Sequence, residues 1–384
     1  MSFVSFQWLA WLFSTVSLYW LSPPRFRDGI LIGITILFLS IHSPVSLGAI
    51  SILTAVCFLG TRVTEVSDAR VLAVSGGILA ILVYFKVAVY MGGDTLFQQT
   101  IIPLGLSYYS FRCFHYVFER YRDSLPEHGF MDFLSYLFFL PVMVMGPINR
   151  AEAFFEDSQT KQWSARDLSY GLERILYGYA KITILSGFLV NHVLVPYQTS
   201  LGAGHELLAL YLGVVTDGLD LYFLFAGYSD IAIGFARLLG YRIMENFNWP
   251  YFQKNISDYW RCWHMSLSSW ARDYVYFPVV GMTRNPYLGT LATFIVIGLW
   301  HEISPRYILW GIWHGAGILG WRKFQDIKRR LGLPVYETGV MRYVLDGFSI
   351  LLTAHYAWFG LVLVSNESLE NAMGVYAALF LGWW

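Results

Sequence analysis

Three histidines stand where an imidazole could carry protons. His264 closes the string Trp260-Arg-Cys-Trp-His264. His301 follows Gly298-Leu-Trp300 at the end of a charge-free run, and His314 lies inside Trp310-Gly-Ile-Trp-His-Gly315. Imidazole titrates nearest neutral pH, so it can take a proton from a hydroxyl and return it to a leaving group. An ionisable side chain in an apolar segment is also costly to desolvate, which makes it a functional candidate by default. The other six histidines read differently. His42, His128 and His205 fall at loops or helix ends, and His115, His192 and His355 have the surroundings of buried, hydrogen-bonded core residues.

Several near-motifs fail on inspection. His301-Glu302-Ile-Ser-Pro305 begins like a zinc-protease helix, but the second histidine is absent and Pro305 would break the helix. Gly227-Tyr-Ser-Asp230 is half of a nucleophile elbow without its closing glycine. No phosphate-binding loop ending in Gly-Lys is present. Cys57, Cys113 and Cys262 are far apart, so no metal site is expected. Asp217 and Asp220 share a face if their stretch is helical. With Asp230 they are expected to form a relay, to sit at a solvated helix end, or to pair with basic residues such as Arg237 or Arg242. Asp258 with Arg261, and Arg272 with Asp273, are expected to pair locally.

The elements that position these groups follow from composition. Of 384 residues, 56% are hydrophobic, 18% aromatic and 14% charged, against roughly 25% charged in ordinary soluble domains. Lys+Arg and Asp+Glu balance at 26 each, so no basic excess serves nucleic acid. Charge-free runs cover 1–24, 29–61, 95–111, 133–149, 182–205, 285–300, 307–321, 347–366 and 371–384. Runs of about 20 apolar residues are spanning helices, since lipid tolerates only helices and closed barrels. The expectation is an all-α polytopic membrane protein with about nine to eleven transmembrane or re-entrant helices. Candidate spans lie near 3–22, 29–41, 47–60, 71–91, 99–118, 132–148, 171–195, 206–236, 285–300, 305–321, 345–364 and 371–384, with polar loops near 23–28, 61–70, 119–131, 151–170, 322–341 and 365–370. The basic Pro23-Pro-Arg-Phe-Arg27 loop is cytoplasmic by the positive-inside rule. The whole chain, 1–384, reads as one membrane domain. Residues 237–284 break the pattern: no clean span, and charges alternating with aromatics, as in an interfacial helix or a semi-buried active-site segment.

An ordered series of strings resembles the membrane-bound O-acyltransferase family, in the bacterial branch of alginate O-acetyltransferases and teichoic-acid D-alanyl transferases. The strings are Pro103-Leu-Gly-Leu-Ser-Tyr-Tyr-Ser-Phe111, Gly146-Pro-Ile-Asn-Arg150, Phe225-Ala-Gly-Tyr-Ser-Asp-Ile-Ala-Ile-Gly234, Glu245-Asn-Phe-Asn-Trp-Pro-Tyr251, Tyr259-Trp-Arg-Cys-Trp-His-Met-Ser-Leu-Ser268 with Arg272-Asp-Tyr274, and Gly298-Leu-Trp-His301 followed by Trp310-Gly-Ile-Trp-His-Gly315. They run from about 100 to 320. The resemblance implies helices around a central tunnel and a thioester donor on the cytoplasmic side, with acetyl-CoA as substrate and no tightly bound cofactor. It implies O-acetylation of an extracellular polysaccharide in a bacterial inner membrane, completed by an extracytoplasmic acetyltransferase partner. D-alanyl transfer from a carrier protein is the alternative acyl chemistry, and a non-catalytic polysaccharide or lipid transporter is the alternative class. His301 maps to the family's invariant histidine and His264 to its second. Asn248, Tyr228, Asp258, Arg261, Ser266, Trp300 and His314 are the candidates for lining the tunnel or holding substrate. Trp300, Asn248 and Ser266 are also candidate oxyanion donors. Glu302 departs from the glycine common in the family at that position, which puts the pocket's detailed shape in question.

Overall fold

The computed structural model describes residues 5–63, 67–90, 104–202, 204–332 and 338–382. Pro103, the first residues of the 99–118 span and the last two of 371–384 lie outside them. All regular elements among the described residues are helical. Five helices are long and apolar enough to cross a membrane: Pro44–Thr61, Asp68–Val87, Ala165–Ser200, Glu206–Leu238 and Val340–Ser365. Phe130–Val142, Pro286–His301 and Leu369–Leu381 are shorter apolar helices. The described residues fall into two compact units, 1–180 with 227–245, and 181–226 with 246–384, where the sequence reads as one domain.

The first unit is knitted by small residues and by polar groups that satisfy backbone. Gly171 and Gly178 lie seven apart on one helix, Gly227 and Gly234 seven apart on another. A Cβ on Gly171 would sit 2.9 Å from the carbonyl oxygen of Gly234, and one on Gly178 would sit 2.6 Å from that of Gly227. Only glycine allows this crossing, the small-residue packing that joins helices where lipid supplies no hydrophobic drive. Elsewhere Thr35 donates to the Phe138 carbonyl at 2.7 Å and the Trp20 indole to the Leu238 carbonyl at 2.7 Å.

Two sequence expectations are corrected in this unit. The 132–148 stretch is not a continuous span. Its helix runs only Phe130–Leu137, and Pro141 then opens a single 3-10 turn over Leu140–Val142. The polar stretch 151–170 is not a loop but carries the helix Ala151–Thr160 and the start of Ala165–Ala180. Phe154 and Phe155 bury one side of the former, and its charges lie on the other.

The second unit is built round a tight helical hairpin. Pro286 and Pro305 each occupy a first helical turn, where a missing N–H is harmless. Asn285 caps the first helix, accepting from the N–H groups of Tyr287 and Leu288. The helices Pro286–His301 and Pro305–Arg330 cross closely through Gly298 and Gly311. A Cβ on these would stand 2.2 Å from the Tyr307 carbonyl oxygen and 2.5 Å from that of Phe294. His301 is the last residue of the first helix, so a three-residue turn places it against Tyr307 and Trp310, with ring centroids 5.6 and 5.7 Å away.

Candidate active site

His264 sits between two short helices, Ile256–Cys262 and Met265–Ala271, outside the five apolar spans. Its backbone is left-handed, with φ +42° and ψ 54°, a region a non-glycine residue occupies at a cost that functional sites tolerate. The Met265 N–H donates to the Asn246 carbonyl at 2.9 Å, pinning the irregular segment that holds Asn246. The Asn246 side chain, fully buried, gathers three contacts on one oxygen: the Ser266 N–H at 3.4 Å, the Ser266 hydroxyl at 2.9 Å and His264 Nδ1 at 3.1 Å. A backbone N–H can only donate, so this atom is the amide's acceptor, and His264 Nδ1 must carry the hydrogen. Nε2 is then the ring's basic nitrogen. Burial first, and the neighbouring His301 second, hold the His264 imidazole down to about 3, so it stays neutral.

His264 and His301 line one cavity of about 460 Å³ with His314, Asp217, Asp220 and a belt of aromatics. Trp300 bridges the first two, its ring centroid 6.2 Å from His264 and 4.4 Å from His301. His264 is buried and His301 exposed, so the pair presents one deep and one accessible imidazole. His314 has the opposite tautomer to His264. Its Nδ1 accepts from the Trp260 indole at 3.2 Å, which leaves the hydrogen on Nε2. The Glu302 side chain turns to Arg306 at 3.0 Å and is not on the cavity wall.

The remaining predicted residues divide. Ser266 is fully buried but spends its hydroxyl on Asn246. Asn248 is exposed and outside the cavity lining; the inward amide is Asn246, two residues earlier. Asp258 and Arg261 pair with each other at 2.9 Å on the surface, and Arg272 pairs with Asp273 at 2.9 Å. Tyr228 belongs to the other unit. Asp217 and Asp220 share the helix Glu206–Leu238 and both face the cavity, paired with neither Arg237 nor Arg242. Asp230 is the structural one of the three: it is bound by Arg174, which also reaches Glu245 at 2.7 Å, while Arg237 pairs with Asp167 at 3.0 Å.

One cluster has metal-ligand composition. His115, Glu119 and Glu152 bring one ligand atom each within 4.8 Å of one another. Among the described residues Glu119 accepts from Arg122 at 2.9 Å and Ser124 at 2.6 Å, and His115 Nε2 has both the Ala151 N–H and Glu152 Oε2 at 2.8 Å. The set reads as a charge network that ties Leu106–Tyr121 to Ala151–Thr160.

Comparison with known proteins places the chain in a family. The sequence profile of the membrane-bound O-acyltransferase family matches residues 38–326. A probable alginate O-acetylase of Pseudomonas putida is 31% identical over 95% of this chain and 77% of its own length. A teichoic acid D-alanyltransferase of Bacillus subtilis is 30% identical over 70% of each chain. A peptidoglycan O-acetyltransferase of Helicobacter pylori is 24% identical over 72% of this chain and 56% of its own. With both histidines inside the matched region and its helices apolar enough to span a bilayer, the chain belongs to the membrane-bound O-acyltransferase family: it is a multi-pass membrane O-acyltransferase.

Proposed function

We propose that this protein moves an acetyl group from acetyl-CoA, reaching the cavity from the cytoplasmic side of a bacterial inner membrane, towards O-acetylation of an extracellular polysaccharide. An extracytoplasmic acetyltransferase completes the transfer. The observation that carries this reading is the placement of His264 and His301 on the wall of one cavity, with the His264 tautomer set by Asn246. In the proposed reaction the accessible His301 takes the proton of the acceptor hydroxyl. The oxygen attacks the thioester carbonyl, the carbon–sulfur bond breaks, and the proton passes from His301 to the departing thiolate. Such base catalysis is worth about 10²–10⁴-fold. His264, neutral and tethered, orients the acyl carbonyl, and the Trp300 indole, whose ring lies beside both histidines, donates to the developing oxyanion. The aromatic belt keeps water from the thioester.

The similarity to teichoic acid D-alanyltransferase supports a second donor, a D-alanyl carrier protein. The test is acyl transfer in membranes given radiolabelled acetyl-CoA, for wild type and His301→Ala, with folding checked in detergent. Label reaching polymer or partner only with wild type is the expected result. No label with wild type in the partner's presence moves the donor to the carrier protein, and equal label in both removes His301 from the chemistry.

A further inference from the structure

His301 stands where a helix is least able to hold a side chain still. It is the last residue of Pro286–His301, and Glu302 beyond it is already extended, with φ −155° and ψ 139°. Helix ends fray because their last carbonyls have no partner along the helix. A general base must not fray with them, since a misplacement of about 1 Å costs about a hundredfold in rate. The backbone supplies one hold: the Glu302 N–H donates to the Gly298 carbonyl at 3.1 Å, and the Ser304 N–H to the Glu302 carbonyl at 3.0 Å.

A second hold comes from Arg306. Its Nη2 meets both oxygens of the Glu302 carboxylate, at 3.0 and 3.3 Å, and its Nη1 donates to the Asn366 carbonyl. Asn366 is the C-cap of the helix Val340–Ser365, and its own amide donates to the Val362 carbonyl at 2.8 Å. One guanidinium therefore joins the residue after His301 to the end of a different helix. Both ends of this bridge reach the cavity: His301 and Tyr307 line it on one side, Val364 and Ser365 on the other. Tyr307, next to Arg306 in the chain, is the ring that stacks on His301 at 5.6 Å and 21°.

On local grounds the position is a poor one for an arginine. Arg306 is the second residue of Pro305–Arg330, where the helix dipole favours an anion and opposes a cation. What offsets this lies outside its own helix: a carboxylate just before it, and the carbonyl end of Val340–Ser365, where the dipole favours a cation. The side chain is only 16% exposed, so solvent does little to keep it there. The bridge accounts for the arginine; its own helix does not.

We infer that Arg306 is a positioning residue, which holds His301 at its place on the cavity wall through Glu302 and the Asn366 carbonyl. This rests on the acyl-transfer reading for what His301 does, and one arm of its test needs no acyl donor. Full-length wild type, Arg306→Gln and Arg306→Lys are compared in lipid nanodiscs. The first measurement is acetyl transfer with the partner present, over a range of acetyl-CoA concentrations. Arg306→Gln is expected to lower kcat about tenfold with KM for acetyl-CoA within about twofold, and Arg306→Lys, which keeps the charge opposite Glu302, to recover part of the loss. The second is the rate at which diethyl pyrocarbonate modifies His301, followed by mass spectrometry without any donor. That rate is expected to rise about threefold or more in Arg306→Gln as the helix end loosens, while buried His264 stays unreactive in all three proteins. An unchanged rate of modification at His301 overturns the inference, and so does a rise in KM with kcat intact. Modification of His264 in the variant overturns it too, because the fold has then opened and Arg306 serves stability alone. A wild type that transfers no acetyl group removes the acetyl-CoA reading, and the modification rate of His301 then decides the role of Arg306 by itself.

Discussion

In the unit formed by residues 1–180 and 227–245, ionised groups meet partners. Arg174 holds Asp230 and Glu245, Arg237 holds Asp167, and buried Lys161 donates to Tyr241 at 2.7 Å and faces Asp28 at 3.5 Å. The cavity of the other unit keeps Asp217 and Asp220 with no lysine or arginine on its wall among the described residues, next to two imidazoles of opposite tautomer. Burying charge is expensive unless it is paired and hydrogen-bonded. The first arrangement therefore holds the fold. In the second, Ser186 and Asn191 donate to Asp220 and Asp217 is exposed, so the cost falls on the strained His264 backbone; such departures gather where chemistry is done.

The contrast can be broken most forcefully at His301. His301→Ala is expected to cost about 10²–10⁴-fold in acyl transfer with little change in apparent Tm, since the side chain is exposed. A variant that unfolds instead would make His301 a packing residue. Arg174→Ala should do the reverse. It removes the guanidinium that Asp230 and Glu245 share, and the expected loss is about 3–5 kcal/mol of stability, read as a lower melting temperature in detergent. Arg174→Lys should recover part of it, because it keeps the positive charge but not the reach by which one guanidinium nitrogen, Nη2, meets both carboxylates. Arg174→Ala with unaltered melting but no activity would move that arginine into the chemistry. A smaller effect is expected at Asn246→Ala. Losing one oriented hydrogen bond on His264, worth about 1–3 kcal/mol, should slow transfer roughly ten- to a hundredfold. Steady-state rates in the same membranes check it, and an unchanged rate would free His264 from its proposed tether.

How much of this is legible in the sequence depends on periodicity. Asp217 and Asp220 were readable as one helix face because their spacing repeats with the helix. His264 and His301 stand out by the tryptophans that precede them. Asn246 does not: residues 242–249 have no repeating backbone geometry, so nothing in Glu245-Asn-Phe-Asn248 says which amide turns inward. Asn248 looked as good and is exposed. The partner of Asp230 was equally hidden, since Arg174 is 56 residues away and two nearer arginines offered themselves. Apolarity misled over 132–148, where Pro141 ends the helix within a run otherwise fit to span. Polarity misled over 151–170, where a helix needs only one apolar face.

The smallest expected effect separates His264 from every other group by pH. Burial and His301 lower its pKa from 6.5 to about 3 in the folded protein. Between these values the unfolded chain binds a proton that the native state does not. Stability therefore rises with pH across that window, is complete above about 6.5 and is lost as pH falls towards 3, at about 1.4 kcal/mol per pH unit for one group. His264→Asn is the informative variant: asparagine tolerates the left-handed backbone, and its Nδ2 can replace Nδ1 as donor to Asn246. Melting temperatures at pH 7 and pH 5 should differ less in His264→Asn than in wild type. An identical slope would mean that His264 takes up protons alike in the folded and unfolded chain, and its proposed neutrality by burial would fall.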